Sequence, residues 1–148
     1  MTARRHRSKL VATWLAFLFG SLGVHRFYLH GLRDVWGWLF PLPTLVGIYG
    51  VLRMRALGGD DLLPWFLIPW LGLTLSAAML TAVIYGLTPD DKWTARHNPD
   101  GAPTHTGWAT IIGVILALSV GAAVAVATIA FTSQRVFEYQ QLRSSTAN

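Results

Sequence analysis

The sequence predicts an all-α membrane protein: four transmembrane helices arranged as two hairpins. Three observations lead there. Hydrophobic residues make up 53% of the 148 and charged residues only 13%, about half the charged share of an ordinary soluble domain. Four runs, roughly 10–24, 35–52, 62–87 and 108–131, contain no Asp, Glu, Lys or Arg. The basic residues between and around them are clustered rather than spread, beginning with Arg4, Arg5, Arg7 and Lys9. A soluble enzyme and a disordered chain are excluded, because too few charges exist to cover a water-facing surface. The net charge of +5 is an orientation signal on such a chain and not a nucleic-acid surface.

Residues 1–9 are a basic N-terminal segment. The apolar run after them resembles a signal peptide, but no A-x-A cleavage site follows and His25-Arg26 stand in its place, so it is read as an uncleaved anchor. Run 10–24 is short for a bilayer core of about 30 Å and is expected to borrow residues 23–29 to reach full length, with Arg26 snorkelling at the far end. Run 35–52 holds Pro41 and Pro43, each removing a backbone donor, which predicts a kink or break near its middle. Runs 62–87 and 108–131 are each long enough to cross. Pro64 and Pro69 fall early in the third run, where proline costs less. Residues 10–56 thus form one hairpin and 57–131 a second with an external loop over 88–107. Residues 132–148 form a tail, of which 134–141 extend the last helix. Trp65, Trp93 and Trp108 read as interfacial anchors and Trp14, Trp36, Trp38 and Trp70 as lipid or helix contacts.

Lys and Arg count by loop gives the orientation. With four crossings and the N-terminus inside, eight (Arg4, Arg5, Arg7, Lys9, Arg53, Arg55, Arg135, Arg143) lie on the cytoplasmic side. Four (Arg26, Arg33, Lys92, Arg96) lie opposite. Both termini are therefore expected in the cytoplasm, and a re-entrant first hairpin, leaving two crossings, would keep them on one side as well.

Around the first turn the chain reads Gly20-Ser-Leu-Gly23-Val-His25-Arg26-Phe27-Tyr28-Leu29-His30-Gly31 between apolar runs. This resembles the TM2 domain family, a pair of transmembrane helices joined by a linker with an (H/D)-R-F-Y-L-G signature, over about residues 9–56. Two departures stand out: His30 precedes the glycine, which shifts the turn by one residue, and Arg53 stands near where family members often carry an Asp. The resemblance implies a helical hairpin and no defined chemistry, since the family's biochemical role is largely undefined, and implies nothing about residues 57–148. A bacterial inner membrane is the expected location.

The same residues can be read physically. Gly20 and Gly23 offer small faces for close helix approach. Arg26 in apolar surroundings needs a partner, and Asp34 is the nearest carboxylate; Asp34 either pairs with Arg26 or caps the helix beginning at Val35, leaving Arg26 to lipid phosphate. Gly113, Ala117, Gly121 and Ala125 form a small-residue ladder that serves either packing against Ala78, Ala82 and Gly86 or homodimerisation. The loop residues Asp90, Asp91, His97, Asp100 and His105 match no metal-ligand spacing, and Asn98-Pro99-Asp100-Gly101 is a turn signal in its own right. No cysteine is present, and no catalytic or phosphate-loop motif is found. The reading is a non-enzymatic packing or accessory component, without metal or cofactor, whose partners are the lipid bilayer, a membrane protein or a second copy. The alternative is an oligomeric transporter or channel component in which Pro41 and Pro43 break a helix and His25, Arg26 and His30 line a polar mouth.

Overall fold

A computed structural model describes residues 6–146. Its elements are α1 (Lys9–Phe19), a 3-10 turn (Gly20–Leu22), α2 (Val24–His30), α3 (Val35–Leu39), α4 (Pro41–Leu57), α5 (Leu63–Leu87), α6 (Asp90–His97) and α7 (Trp108–Thr146). Three segments are long and apolar enough to cross a membrane: Val35–Leu57, Leu63–Leu87 and Trp108–Ser145. The first apolar helix, Lys9–Leu22, is shorter.

The expected extension of the first helix stops at Gly23. The first helix does not run on through residues 23–29, because Gly23 takes φ +74°, ψ 6°, a left-handed conformation that ends a right-handed helix and is open to glycine at little cost. The chain reverses there, and α2 runs back along α1. The Tyr28 hydroxyl accepts a hydrogen bond from the Ser8 amide at 2.8 Å, and Leu29 shares a buried cluster with Ala12 and Trp93. From Lys9 to Leu22 the rise is only about 21 Å at ~1.5 Å per residue, against a hydrocarbon core of about 30 Å. The α1–α2 pair therefore returns to the end of the bundle at which it began.

The interruption expected of the proline pair falls at Phe40, directly before Pro41. Phe40 separates α3 from α4 but keeps helical angles, φ −58°, ψ −41°, and both belong to the one apolar segment Val35–Leu57. Pro41 cannot donate to the carbonyl four residues back, and that Gly37 oxygen lies where a Cβ on Gly23 would sit 2.3 Å away. The missing donor and the missing side chain thus meet at one crossing.

The central helix is α5, against which α1, α4 and α7 all pack. Each runs antiparallel to it. Along α1, Gly20 faces Ala78, while Thr13 and Val114 of α7 both adjoin Gly86. Along α4, Gly47 abuts Leu71 and Gly50 abuts Leu67. Along α7, Gly121 abuts Met79 and the Arg135 guanidinium stacks over Trp65, 4.9 Å from the ring centroid. Such close passes at small residues let backbones approach where the solvent supplies no hydrophobic drive.

In this arrangement the two ends of the described chain lie at opposite ends of the bundle. The Arg7 amide donates to Asn98 Oδ1 at 2.8 Å, which places the N-terminal segment at the 88–107 end. Arg135, Glu138 and Leu142 instead line a cavity with Gly59, Asp60 and Trp65, which places the tail at the 58–62 end. The three long apolar segments lie between the two. Two tryptophans are also reassigned: Trp65 and Trp93 are 8% and 2% exposed, each donating from Nε1 to a backbone carbonyl, of Gly59 and Arg7 respectively. They pin loops to the bundle. Trp108, 80% exposed, stands at the start of α7 as an anchor would.

Candidate functional site

The signature residues of the first turn occupy distinct roles. Arg26 reaches Asp34 through Nε to Oδ2 at 2.7 Å and through Nη2 to Oδ1 at 3.3 Å. Asp34 Oδ1 also accepts from the Trp36 amide at 3.2 Å, so one carboxylate makes both the ion pair and the helix cap. The Arg26 guanidinium holds the Asp34 carboxyl below the usual carboxylate range, chiefly through its hydrogen bond. Phe27 packs on Trp38 with ring centroids 5.1 Å apart and against Gly37. Gly31 closes α2 at φ +85°, its amide donating to the Phe27 carbonyl at 2.9 Å.

His25 does not face a polar mouth. It is 1% exposed and lies edge-on to Phe40 and Tyr85, centroids 5.6 and 5.8 Å away. Its Nδ1 has no hydrogen-bond partner among the described residues. Arg26 and His30, by contrast, line a cavity between α2, α5 and α6.

The small-residue ladder of α7 faces inward. Gly113 adjoins Thr13 and Trp14, Ala117 is fully buried with Ala16, Met79 and Ala82, Gly121 meets Met79, and Ala125 is half-buried. The rungs of α5, Ala78, Ala82 and Gly86, are buried opposite them.

Three residues that reading of the sequence assigned to other roles tie the molecule together. Lys9, counted there as an orientation charge, is 4% exposed. Its ammonium donates to the Thr88 carbonyl at 2.6 Å, Asp90 Oδ1 at 2.9 Å and Thr106 Oγ1 at 2.6 Å, filling all three of its donor positions. Asp90 accepts further from the Thr106 amide at 2.8 Å, and Thr106 with Lys9 lowers its pKa to about 2. Asn98, read as part of a turn, returns its side-chain amide to the Arg7 carbonyl at 3.0 Å. The contacts of Lys9 and Asn98 join residues 79 to 97 positions apart, and no local spacing rule reports a partner at that separation. The loop acids and histidines are not gathered to one point. Among the described residues, no group of three or more His, Asp or Glu is placed to hold a metal ion.

The resulting end of the bundle is cationic. Arg7, Arg96 and His97 line one cavity of about 460 Å³, and Arg26, His30, Lys92, Arg96 and His97 line its neighbour of about 370 Å³. Burial, then Arg96, Arg7 and His30, depress the His97 pKa, as expected where positive groups converge.

Residues 5–54 match the family model of the TM2 domain, a stretch that takes in α1, α2, α3 and most of α4. No curated protein and no solved structure matches the chain.

Proposed function

We propose that this chain, an integral membrane protein whose residues 5–54 form a TM2 domain, acts without chemistry of its own as a packing or accessory component for a protein or lipid partner. It crosses the bilayer three times. The α1–α2 hairpin enters and returns on the cytoplasmic side, the 88–107 loop lies on that side with it, and the C-terminal tail lies outside. In a bacterial cell that membrane is the inner one.

The observation that carries this reading is the division of α7 into two faces. Ala117 is fully buried against α1 and α5, while Leu118, Val126 and Ile129 are 61%, 66% and 66% exposed. A broad apolar face without an internal neighbour suits lipid or another transmembrane helix. The charged residues of the signature support it, because Arg26 and Asp34 are engaged with each other and with a helix cap. Orientation is supported by the basic residues. Arg7, Lys9, Arg26, Arg33, Lys92 and Arg96 belong to the N-terminal end, against Arg53, Arg55, Arg135 and Arg143 at the other.

Extraction of a tagged chain in gentle detergent, followed by light scattering and mass spectrometry of what co-purifies, tests the assignment. A stoichiometric membrane protein or retained lipid is the expected result. A homo-oligomer without companions that passes ions in proteoliposomes would replace this reading with the channel.

A further inference from the structure

The smaller of the two cationic cavities combines features that no structural role in the fold consumes. Lys92 and Arg96 make no hydrogen bond or ion pair among the described residues, and both are exposed on α6, one turn apart. Arg26, paired with Asp34, lines the same cavity, with His30 beside it. No carboxylate lines either cavity, and Asp34 is already engaged by Arg26 at 2.7 Å and approached by His30 Nδ1 at 3.8 Å. The charges of Lys92 and Arg96 are thus left without a counter-ion among the described residues.

The opposite wall is apolar. Leu29, Ile84, Tyr85 and Trp93 form it, and Ile84 is 54% exposed on the outer face of α5. The site therefore opens from a basic floor at the bundle's end onto the helix surface that contacts lipid. Its volume of about 370 Å³ falls within the usual range for a small-molecule site.

We infer that this cavity binds the phosphate of an anionic phospholipid, with Lys92 and Arg96 holding the headgroup beside the Arg26–Asp34 pair and the acyl chains leaving along Ile84. Guanidinium groups match the oxygens of phosphate by forked hydrogen bonding and an ammonium supplies a point charge. Basic pockets between helix ends on the cytoplasmic side are suited to such headgroups. The inference deepens the packing reading by naming a lipid class, and rests on it for the bilayer alone.

Native mass spectrometry of the full chain in neutral detergent, titrated with phosphatidylglycerol or phosphatidylcholine, tests it. Wild type should retain phosphatidylglycerol preferentially. Lys92→Gln and Arg96→Gln should each weaken that retention about fivefold, while Lys92→Arg keeps it and Arg55→Gln, at the opposite end, leaves it unchanged. Helix content read alongside confirms that each variant is folded. Millimolar inorganic phosphate that fails to displace the lipid confirms the acyl contribution; phosphate that displaces it fully keeps the anion site but makes free phosphate its ligand. Equal retention of the two lipids by wild type, or undiminished phosphatidylglycerol binding by folded Lys92→Gln/Arg96→Gln, overturns the inference. Either failure leaves the three-crossing topology to be judged by its own labelling experiment.

Discussion

Gly23 decides the path of the first sixty residues through two independent constraints. Its φ of +74° disfavours any side chain, and a Cβ would press on the Gly37 carbonyl at 2.3 Å. Gly23→Ala should therefore destabilise the folded chain by about 2 kcal/mol or more, seen as a lower unfolding midpoint in detergent. Asp90 offers a pH test. Its folded pKa of about 2 lies below the unfolded value of about 3.9. The stability it contributes is therefore full above about pH 4 and lost as pH falls toward 2. Thermal unfolding between pH 5 and 2.5 should show that loss in wild type and a flatter slope in Asp90→Asn. For the ion pair, Arg26→Gln and Asp34→Asn should each lower the melting temperature and together lower it by less than their sum. Strict additivity would show that the two do not cooperate.

Among the helices, the limits of α5 were legible because charges bracket it, and the start of α7 because the apolar run begins there after the loop 101–107. Asp60 and Asp61 precede Leu63, Asp90 follows Leu87, and α7 opens at Trp108 as expected. The signature residues, too, could be recognised from their order in the chain. What could not be read is where the first helix turns. Hydropathy records which residues avoid water, and Gly23 is as apolar inside a straight helix as it is in a reversal. The ladder residues of α7 were found by their spacing, but spacing alone does not say which neighbour they meet. Because Ala117 is packed and Leu118 is not, Ala117→Leu should cost about 1–3 kcal/mol through overpacking. Leu118→Ala should stay within about 0.5 kcal/mol. Unfolding midpoints of the two variants give the comparison, and equal effects would mean that α7 is turned differently.

For the molecule as a whole, the charge rule alone could not settle the topology. Reversing the side of the later loops exchanges Arg26, Arg33, Lys92 and Arg96 for Arg53, Arg55, Arg135 and Arg143, so eight basic residues still share the N-terminal side and four oppose them. The count locates the N-terminus in both arrangements and is blind to the tail. The docking of Arg7 on Asn98 and of Lys9 on Thr88, Asp90 and Thr106 supports the odd number of crossings proposed above. The chain contains no cysteine, so single reporters can be introduced without background. The most direct measurement is labelling of His6→Cys, Ala102→Cys, Asp60→Cys and Ser145→Cys in intact cells with a membrane-impermeant maleimide. Asp60→Cys and Ser145→Cys should react from outside while His6→Cys and Ala102→Cys react only after the membrane is opened. Matching accessibility of His6→Cys and Ser145→Cys, with Ala102→Cys on the other side, would contradict the three-crossing arrangement.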